Sequence, residues 1–230
     1  MAGVSRLQYR TEARFIRVMC SGRVDLAFVI RAFLNGTDGV FIGGCRLNEC
    51  NYITHGNYDA LAMVLLCRKI MARIGLDPER LRIEFMSSGD GILFTQVIND
   101  FGERIRELGP LGKAEGMEPD DLRFRLEAVN RLIPYIKLVE RERLRVPHKS
   151  EKEYREFFAS DRVNAIFDEL IGNKLAMSQI LLLLGKGPLS TGAISETLGL
   201  TPSQVSRHMN SSSRQGLVRY DEARKSFALA

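Results

Sequence analysis

Apolar and polar residues follow one another in blocks through the first half of the chain. From Ala13 to Leu108 a short β-branched or aromatic run, a glycine or polar turn and a helical stretch recur three times. This alternation predicts crossover units around a parallel sheet. The first strand is expected at Arg14 to Met19, followed by Cys20-Ser21-Gly22-Arg23 and a helix from about Asp25, its cap, to Asn35, closed by Gly36. The second strand is expected at Gly39 to Gly43, with Cys45 to Tyr52 as its turn and a helix from about Tyr58 to Ile74 ending at Gly75. The third is Leu81 to Met86, after which Ser87-Ser88-Gly89-Asp90-Gly91 feeds a helix to about Leu108, stopped by Gly109-Pro110.

Beyond residue 112 the pattern changes. Leu122 to Lys137 and Lys152 to Leu170 have helical periodicity, while Val139 to Lys149 is rich in Arg and Glu and broken by Pro147. This reads as a helical arm or linker. From Leu175 an apolar helix to Leu184 leads through Gly185-Lys186-Gly187-Pro188 to helices at Ser190 to Leu198 and Thr201 to Gln215. Thr201 and Pro202 suit a helix start as cap and first residue. Gly216 to Tyr220 and Ser226 to Leu229 would form a wing. The expected architecture is α/β, a three-layer parallel sheet with flanking helices (1–112), followed by a helical arm (113–172) and a small winged helix-turn-helix domain (173–230).

With 230 residues, 45% of them apolar, the chain can bury a substantial core. No apolar stretch approaches the roughly 20 residues that span a bilayer, and no secretory apolar region follows Met1-Ala2-Gly3-Val4-Ser5-Arg6. A cytoplasmic address is expected. A net charge of +5 is compatible with an acidic protein partner or nucleic acid and requires neither.

The four cysteines are spaced unevenly, unlike a disulfide framework, which favours metal or redox chemistry in the cytosol. Cys20, Cys45 and Cys50 each follow an expected strand. Ends of adjacent parallel strands share one crevice, so the three thiols could meet at a metal centre; small apolar cysteines packing at strand ends is the alternative. Cys45 to Cys50 has a Cys-x4-Cys spacing that can present two thiolates to one cluster. Arg23 and Arg46 nearby would favour thiolate. Cys67, among Met63, Val64, Leu65 and Leu66, belongs to a helix core.

Ser5-Arg6-Leu7-Gln8-Tyr9, Arg17-Val18-Met19-Cys20-Ser21-Gly22-Arg23-Val24-Asp25, Gly43-Gly44-Cys45 through Cys50-Asn51-Tyr52, and Gly56-Asn57-Tyr58 together resemble the delta (iron-sulfur) subunit of methyl-viologen-reducing hydrogenase, from about Ala2 to Pro110. The resemblance implies a two-iron, two-sulfur cluster with Cys20, Cys45 and Cys50 as ligands. It also implies electron transfer, in anaerobic metabolism, between a partner oxidoreductase such as a hydrogenase or formate dehydrogenase and the flavin subunit of a heterodisulfide-reductase-type complex. The chain would then be a carrier, not the substrate-converting subunit.

That family has a further strand and a Cys-x-x-Cys segment ahead of its Ala-Gly-x-Ser-Arg-Leu-Gln-Tyr stretch, whereas this chain starts within the stretch. The expectation is that Met1 is an internal methionine of a longer protein. The remaining ligands would lie upstream, with an in-frame UGA codon for selenocysteine as one cause of a misplaced start, and this chain would hold no complete cluster without them.

In the winged part, Ser203, Gln204, Ser206, Arg207, Asn210 and Arg214 are expected on the exposed face of the third helix, where a DNA reader places its contacts. Residues 175–230 carry six Lys or Arg against three Asp or Glu, a modest +3. A redox-responsive DNA-binding regulator is therefore the second candidate; otherwise the winged helix is a protein-docking module with Ser211-Ser212-Ser213 as polar surface. His55, His148 and His208 have no metal-ligand spacing and read as surface or turn residues. Gly89-Asp90-Gly91 lacks the pattern of a nucleotide loop, and no Ser-His-Asp or paired-carboxylate arrangement stands out.

Overall fold

The computed structural model describes residues 7–52 and 55–230. The Ser5-Arg6 part of the first motif, and the start of the chain, lie outside the described residues. The α/β part runs α1 (Leu26–Leu34), β1 (Val40–Gly44), α2 (Asn57–Arg73), β2 (Leu81–Phe85) and α3 (Gly91–Leu108). Asp25 caps α1 as expected, its carboxylate accepting from the Ala27 N–H at 2.9 Å. Gly36, Gly75 and Gly109 follow the three helices with positive φ.

β1 and β2 are parallel, in register from Val40 opposite Leu81 to Gly44 opposite Phe85. Ile42, Leu81 and Ile83 are buried in the core that α1 and α2 share. Phe41, one residue out of phase, meets Phe101 of α3 with ring centroids 5.6 Å apart, so α3 covers the opposite face. Helices on both faces make the three layers.

The expected strand at Arg14 to Met19 is not one. Residues 14–19 are unpaired and exposed, with Ile16 and Met19 almost fully so. Side chains explain the placement: Tyr9 and Phe15 form a ring cluster with Phe94, Arg10 pairs with Glu103, and Glu12 pairs with Arg106. These contacts tie the segment to α3 and not to a sheet edge. β-branched composition gives an extended backbone, but a strand also needs a neighbour for its hydrogen bonds.

One buried ion pair fastens the turn after α3 to the sheet. Arg80, fully buried, donates to both carboxylate oxygens of Glu115 (2.6 and 3.0 Å) and to the carbonyls of Asp38, Gly109 and Pro110. Its five donors are thereby engaged, which is the condition for a tolerable buried guanidinium.

The arm comprises α4 (Pro119–Val139), a π-helical turn at Glu140–Leu144, α5 (Glu151–Ala159), α6 (Asp161–Ile166) and a second π-helical turn at Phe167–Gly172. It is packed, not extended: Leu126, Val129, Ile136, Tyr154, Phe158 and Val163 join the core of α1 and α2. α7 (Asn173–Leu184), α8 (Thr191–Leu198), α9 (Pro202–Arg214), β3 (Val218–Asp221) and β4 (Ser226–Leu229) complete the chain as a winged helix-turn-helix. Thr201 and Gln204 form a reciprocal capping box at α9. A second core of Ile180, Leu184, Ile194, Val205, Met209 and Val218 holds this unit. α7 contributes to both cores, with Leu175 and Leu182 in the first.

Candidate metal centre

Cys20 ends the extended segment and precedes the short 3-10 turn Ser21–Arg23; Cys45 follows β1 directly; Cys50 lies in the loop that leads to α2. The three thiols are neighbours, Cys50 lying within interacting range of both Cys45 and Cys20. Cys45 is exposed and the other two are partly buried. Cys67 is apart, fully buried within α2, and burial pushes its thiol far up.

Glycines let these loops close. A side chain on Gly22 would collide with the carbonyls of His55 and Gly56, and one on Gly56 with the Tyr52 carbonyl and the Cys50 sulfur. Asn57, buried at the start of α2, donates from its amide to the carbonyls of Cys45 (3.0 Å) and Arg46 (2.8 Å) and lies 3.5 Å from the Cys45 sulfur. Burial raises the Cys50 thiol, but the backbone N–H groups of Tyr52 and Asn57, with the two neighbouring thiols, outweigh it and hold Cys50 below the ordinary range. Cys45 moves up, through burial first and then Cys50.

Arg46 is not aimed at the thiols. It forks onto Asp90 (2.7, 2.9 and 3.1 Å), pinning the loop after β2 to the cysteine loop after β1. Asp90 also accepts from the Ser87 N–H, and these bonds, the backbone one foremost, keep its carboxyl below the ordinary range. His55 stands beyond Cys50, 3.2 Å from Asp59 and 3.0 Å from Arg145 through its Nδ1. A hollow of about 840 Å³ beside Cys20 is bordered by the exposed Val18, Met19, Phe28 and Tyr52, with Arg23 and His55.

Three thiols on two loops backed by N–H donors are of the ligand type that iron-sulfur clusters use, four thiolates to a cluster. The buried Ser21 hydroxyl between Cys20 and Gly22 has no hydrogen-bond partner among the described residues. Among the described residues no group of three or more His, Cys, Asp or Glu side chains is arranged to hold a metal ion. Sequence reasoning brought the three cysteines together but missed Asn57 and Asp90 as supports. Gly56-Asn57 immediately before an apolar helix was the available signal for the first.

On α9, Ser203, Gln204, Ser206, Arg207, Asn210 and Arg214 are exposed as expected, with Gln204 engaged in the capping box. Two expectations fail here. His208 and Ser212 are buried against the wing core, because they share the helix face of Val205 and Met209. Burial, and then Arg207, lower the His208 pKa.

The family described as methyl-viologen-reducing hydrogenase, delta subunit, matches residues 1–109, and that described as bacterial regulatory protein, arsR family, matches residues 176–220. The F420-non-reducing hydrogenase iron-sulfur subunit of Archaeoglobus profundus is 44% identical over 110 residues, 48% of this chain and 80% of that protein. The F420-non-reducing hydrogenase vhc iron-sulfur subunit of Methanococcus voltae is 41% identical over 109 residues, 47% of this chain and 75% of that protein. The ferredoxin/F(420)H(2)-dependent CoB-CoM heterodisulfide reductase of Methanosarcina acetivorans matches through one of its subunits, 45% identical over 112 residues, 49% of this chain but only 14% of that protein.

Proposed function

The chain belongs to the methyl-viologen-reducing hydrogenase delta-subunit family, and on that premise we propose that it is an iron-sulfur electron carrier. It would pass electrons between a partner oxidoreductase, a hydrogenase, formate dehydrogenase or similar enzyme, and a heterodisulfide-reductase-type flavin subunit. The observation that carries this reading is the meeting of Cys20, Cys45 and Cys50 in a sequence 44% identical to an iron-sulfur subunit. Among the described residues no helix is long and apolar enough to cross a membrane, and we place the complex in the cytoplasm.

Cys20, Cys45 and Cys50 would hold a two-iron, two-sulfur cluster, which supplies one-electron storage when bound. The residues around them do the rest. Asn57 and the N–H groups of Tyr52 and Asn57 direct positive dipoles at sulfur, which favours the thiolate and orients it. The Arg46–Asp90 fork keeps the two loops in register. Val18, Met19, Phe28 and Tyr52 give the site an apolar rim against which a partner can exclude water. In this scheme residues 1–112 carry the electron, 113–172 form the arm, and 173–230 dock the complex.

Reconstitution with iron and sulfide under anaerobic conditions tests the reading. With the upstream ligands restored to the chain, visible charge-transfer absorption should appear, and Cys20→Ser and Cys45→Ser should each remove it; unchanged iron content in both variants would sink the assignment. A second reading, a redox-responsive DNA-binding regulator, draws on the arsR-family match at residues 176–220 and the exposed cations of α9. Under it, Arg207→Ala with Arg214→Ala abolishes salt-dependent DNA binding. A carrier has no specific DNA affinity to lose.

A further inference from the structure

The cysteine loop at 45–50 is held at its base by Asn57, and Tyr58, the next residue of α2, holds its tip. The tip is a turn closed by the Glu49 N–H on the Arg46 carbonyl at 3.1 Å. Asn48 in this turn has a φ of +70°, a backbone conformation that after glycine suits Asn best. Its exposed side-chain carbonyl lies 3.0 Å from the Tyr58 hydroxyl. That hydroxyl also lies 2.5 Å from the Lys149 carbonyl, so its single proton stands between two acceptors, one in the cysteine loop and one in the arm. Burial raises the Tyr58 phenol, Asn48 opposes it, and Glu153 and Glu151 add to it, which keeps the group a donor.

Residues 145–149 are irregular, yet the arm fastens them at several points. Tyr154 of α5 donates to the Val146 carbonyl at 2.8 Å and stacks its ring on that of Tyr58, centroids 5.2 Å apart and planes 15° from parallel. His148 stands edge-on to Tyr154 and Phe157, and the Lys149 N–H donates to Glu153 at 3.1 Å. Arg145 reaches His55, between Cys50 and α2. The segment therefore bridges α5 to the cysteine loop. It also lies outside residues 1–109, the part that the delta-subunit family matches, so the loop is braced by chain that the family match does not cover.

We propose that residues 145–149 are a strap by which the arm sets the conformation of the cysteine loop, with the Tyr58 hydroxyl as the joint. The seated strap fixes Tyr58 against Asn48, and Asn48 keeps the turn at 46–49 closed, so that Cys45 and Cys50 are presented from a fixed loop. By linkage, what shifts the strap reaches these thiols, and what the thiols hold is felt in the strap. The meaning of this coupling for electron transfer rests on the carrier reading above; the coupling itself needs no cluster.

Amide hydrogen exchange of the full-length, metal-free chain, followed by NMR, tests it through the Glu49 N–H. Tyr58→Phe keeps the ring stack and removes the joint, and should speed Glu49 exchange about fivefold or more while the α2 amides from Ala60 onward stay unchanged. Tyr154→Phe frees the Val146 carbonyl in the strap and leaves the loop's own residues intact, and it should speed Glu49 as well. The double variant should be no faster than Tyr58→Phe, because the joint is already cut. Asn48→Gly, which keeps the positive φ and also cuts the joint, should make Glu49 insensitive to Tyr154→Phe; it carries the test if Tyr58→Phe fails to fold. Glu49 exchange unmoved by Tyr58→Phe, or unmoved by Tyr154→Phe alone, additive effects in the double variant, or a rise spread equally over α2 each overturns the proposal. With no metal present, none of these outcomes bears on whether the cysteines bind iron, which reconstitution decides.

Discussion

The amide of Asn57 reaches back twelve residues to bond the carbonyl of Cys45 and sits against the sulfur of the same residue. One side chain thus fixes both the backbone and the thiol of the cysteine that follows β1. Because Asn57 is also the first residue of α2, the helix and the cysteine loop are set as a unit.

Replacing Asn57 with Ala removes two bonds to carbonyls that have this amide as a shared donor, at a cost of about 2 kcal/mol in urea unfolding. Asn57→Asp should be worse, since a carboxylate facing the two carbonyls is repelled by both. A smaller loss for Asp than for Ala would show that the amide does not organise the loop.

Arg80→Met strands Glu115 in a buried site and should cost about 3–5 kcal/mol, enough to threaten folding. Arg80→Met with Glu115→Leu should recover much of that loss, because no charge is then left unpaired. Urea midpoints of the three proteins measure it. A double variant no more stable than the single one would place the cost in the bonds of Arg80 to the Asp38, Gly109 and Pro110 carbonyls.

Glu140, at the π-helical turn after α4, has its carboxyl pushed up to about 7 by burial first and then by Asp59 and Asp25, with Lys137 opposing. The folded state therefore holds a proton that the unfolded chain releases near pH 4.5. Its contribution is fully present below that pH and is lost as pH rises through 7, by roughly 3 kcal/mol in total. Glu140→Gln should abolish this part of the pH dependence and stabilise the protein at about pH 8. The comparison is made as a difference between the two proteins at each pH. Burial raises Asp25, but Lys137 and the Ala27 N–H outweigh it, so this group loses stability in the opposite, acidic direction.

In cluster-free protein a maleimide should modify Cys20, Cys45 and Cys50 under native conditions, and Cys67 only after denaturation. Mass spectrometry of the peptides distinguishes the four. Native labelling of Cys67 would mean that α2 opens far more readily than its packing implies.

The sequence reading succeeded where the signal was local and periodic. α1, α2, α3 and the winged helices follow apolar spacing and their glycine or Thr-Pro boundaries. It failed at Arg14 to Met19, where composition specified an extended backbone but could not say whether a partner edge was there to pair with. The nearness of the three cysteines was expected from strand ends that share a crevice, a reason that holds only for Cys45, since the segment before Cys20 pairs with no strand. The supports of these cysteines were not legible, since the Arg46–Asp90 fork spans two crossover units and leaves no periodic trace. His208 and Ser212 were misplaced because polar type was allowed to outweigh their helix phase with Val205 and Met209.

α7 places Leu175 and Leu182 in one core and Ile180 and Leu184 in the other, and its Ser178 hydroxyl bonds the Ala128 carbonyl of α4 at 2.9 Å. A helix clamped on two sides behaves as an axle without a bearing. Torque on α9 or the wing would pass into α4, and through it into α1, which α4 packs against.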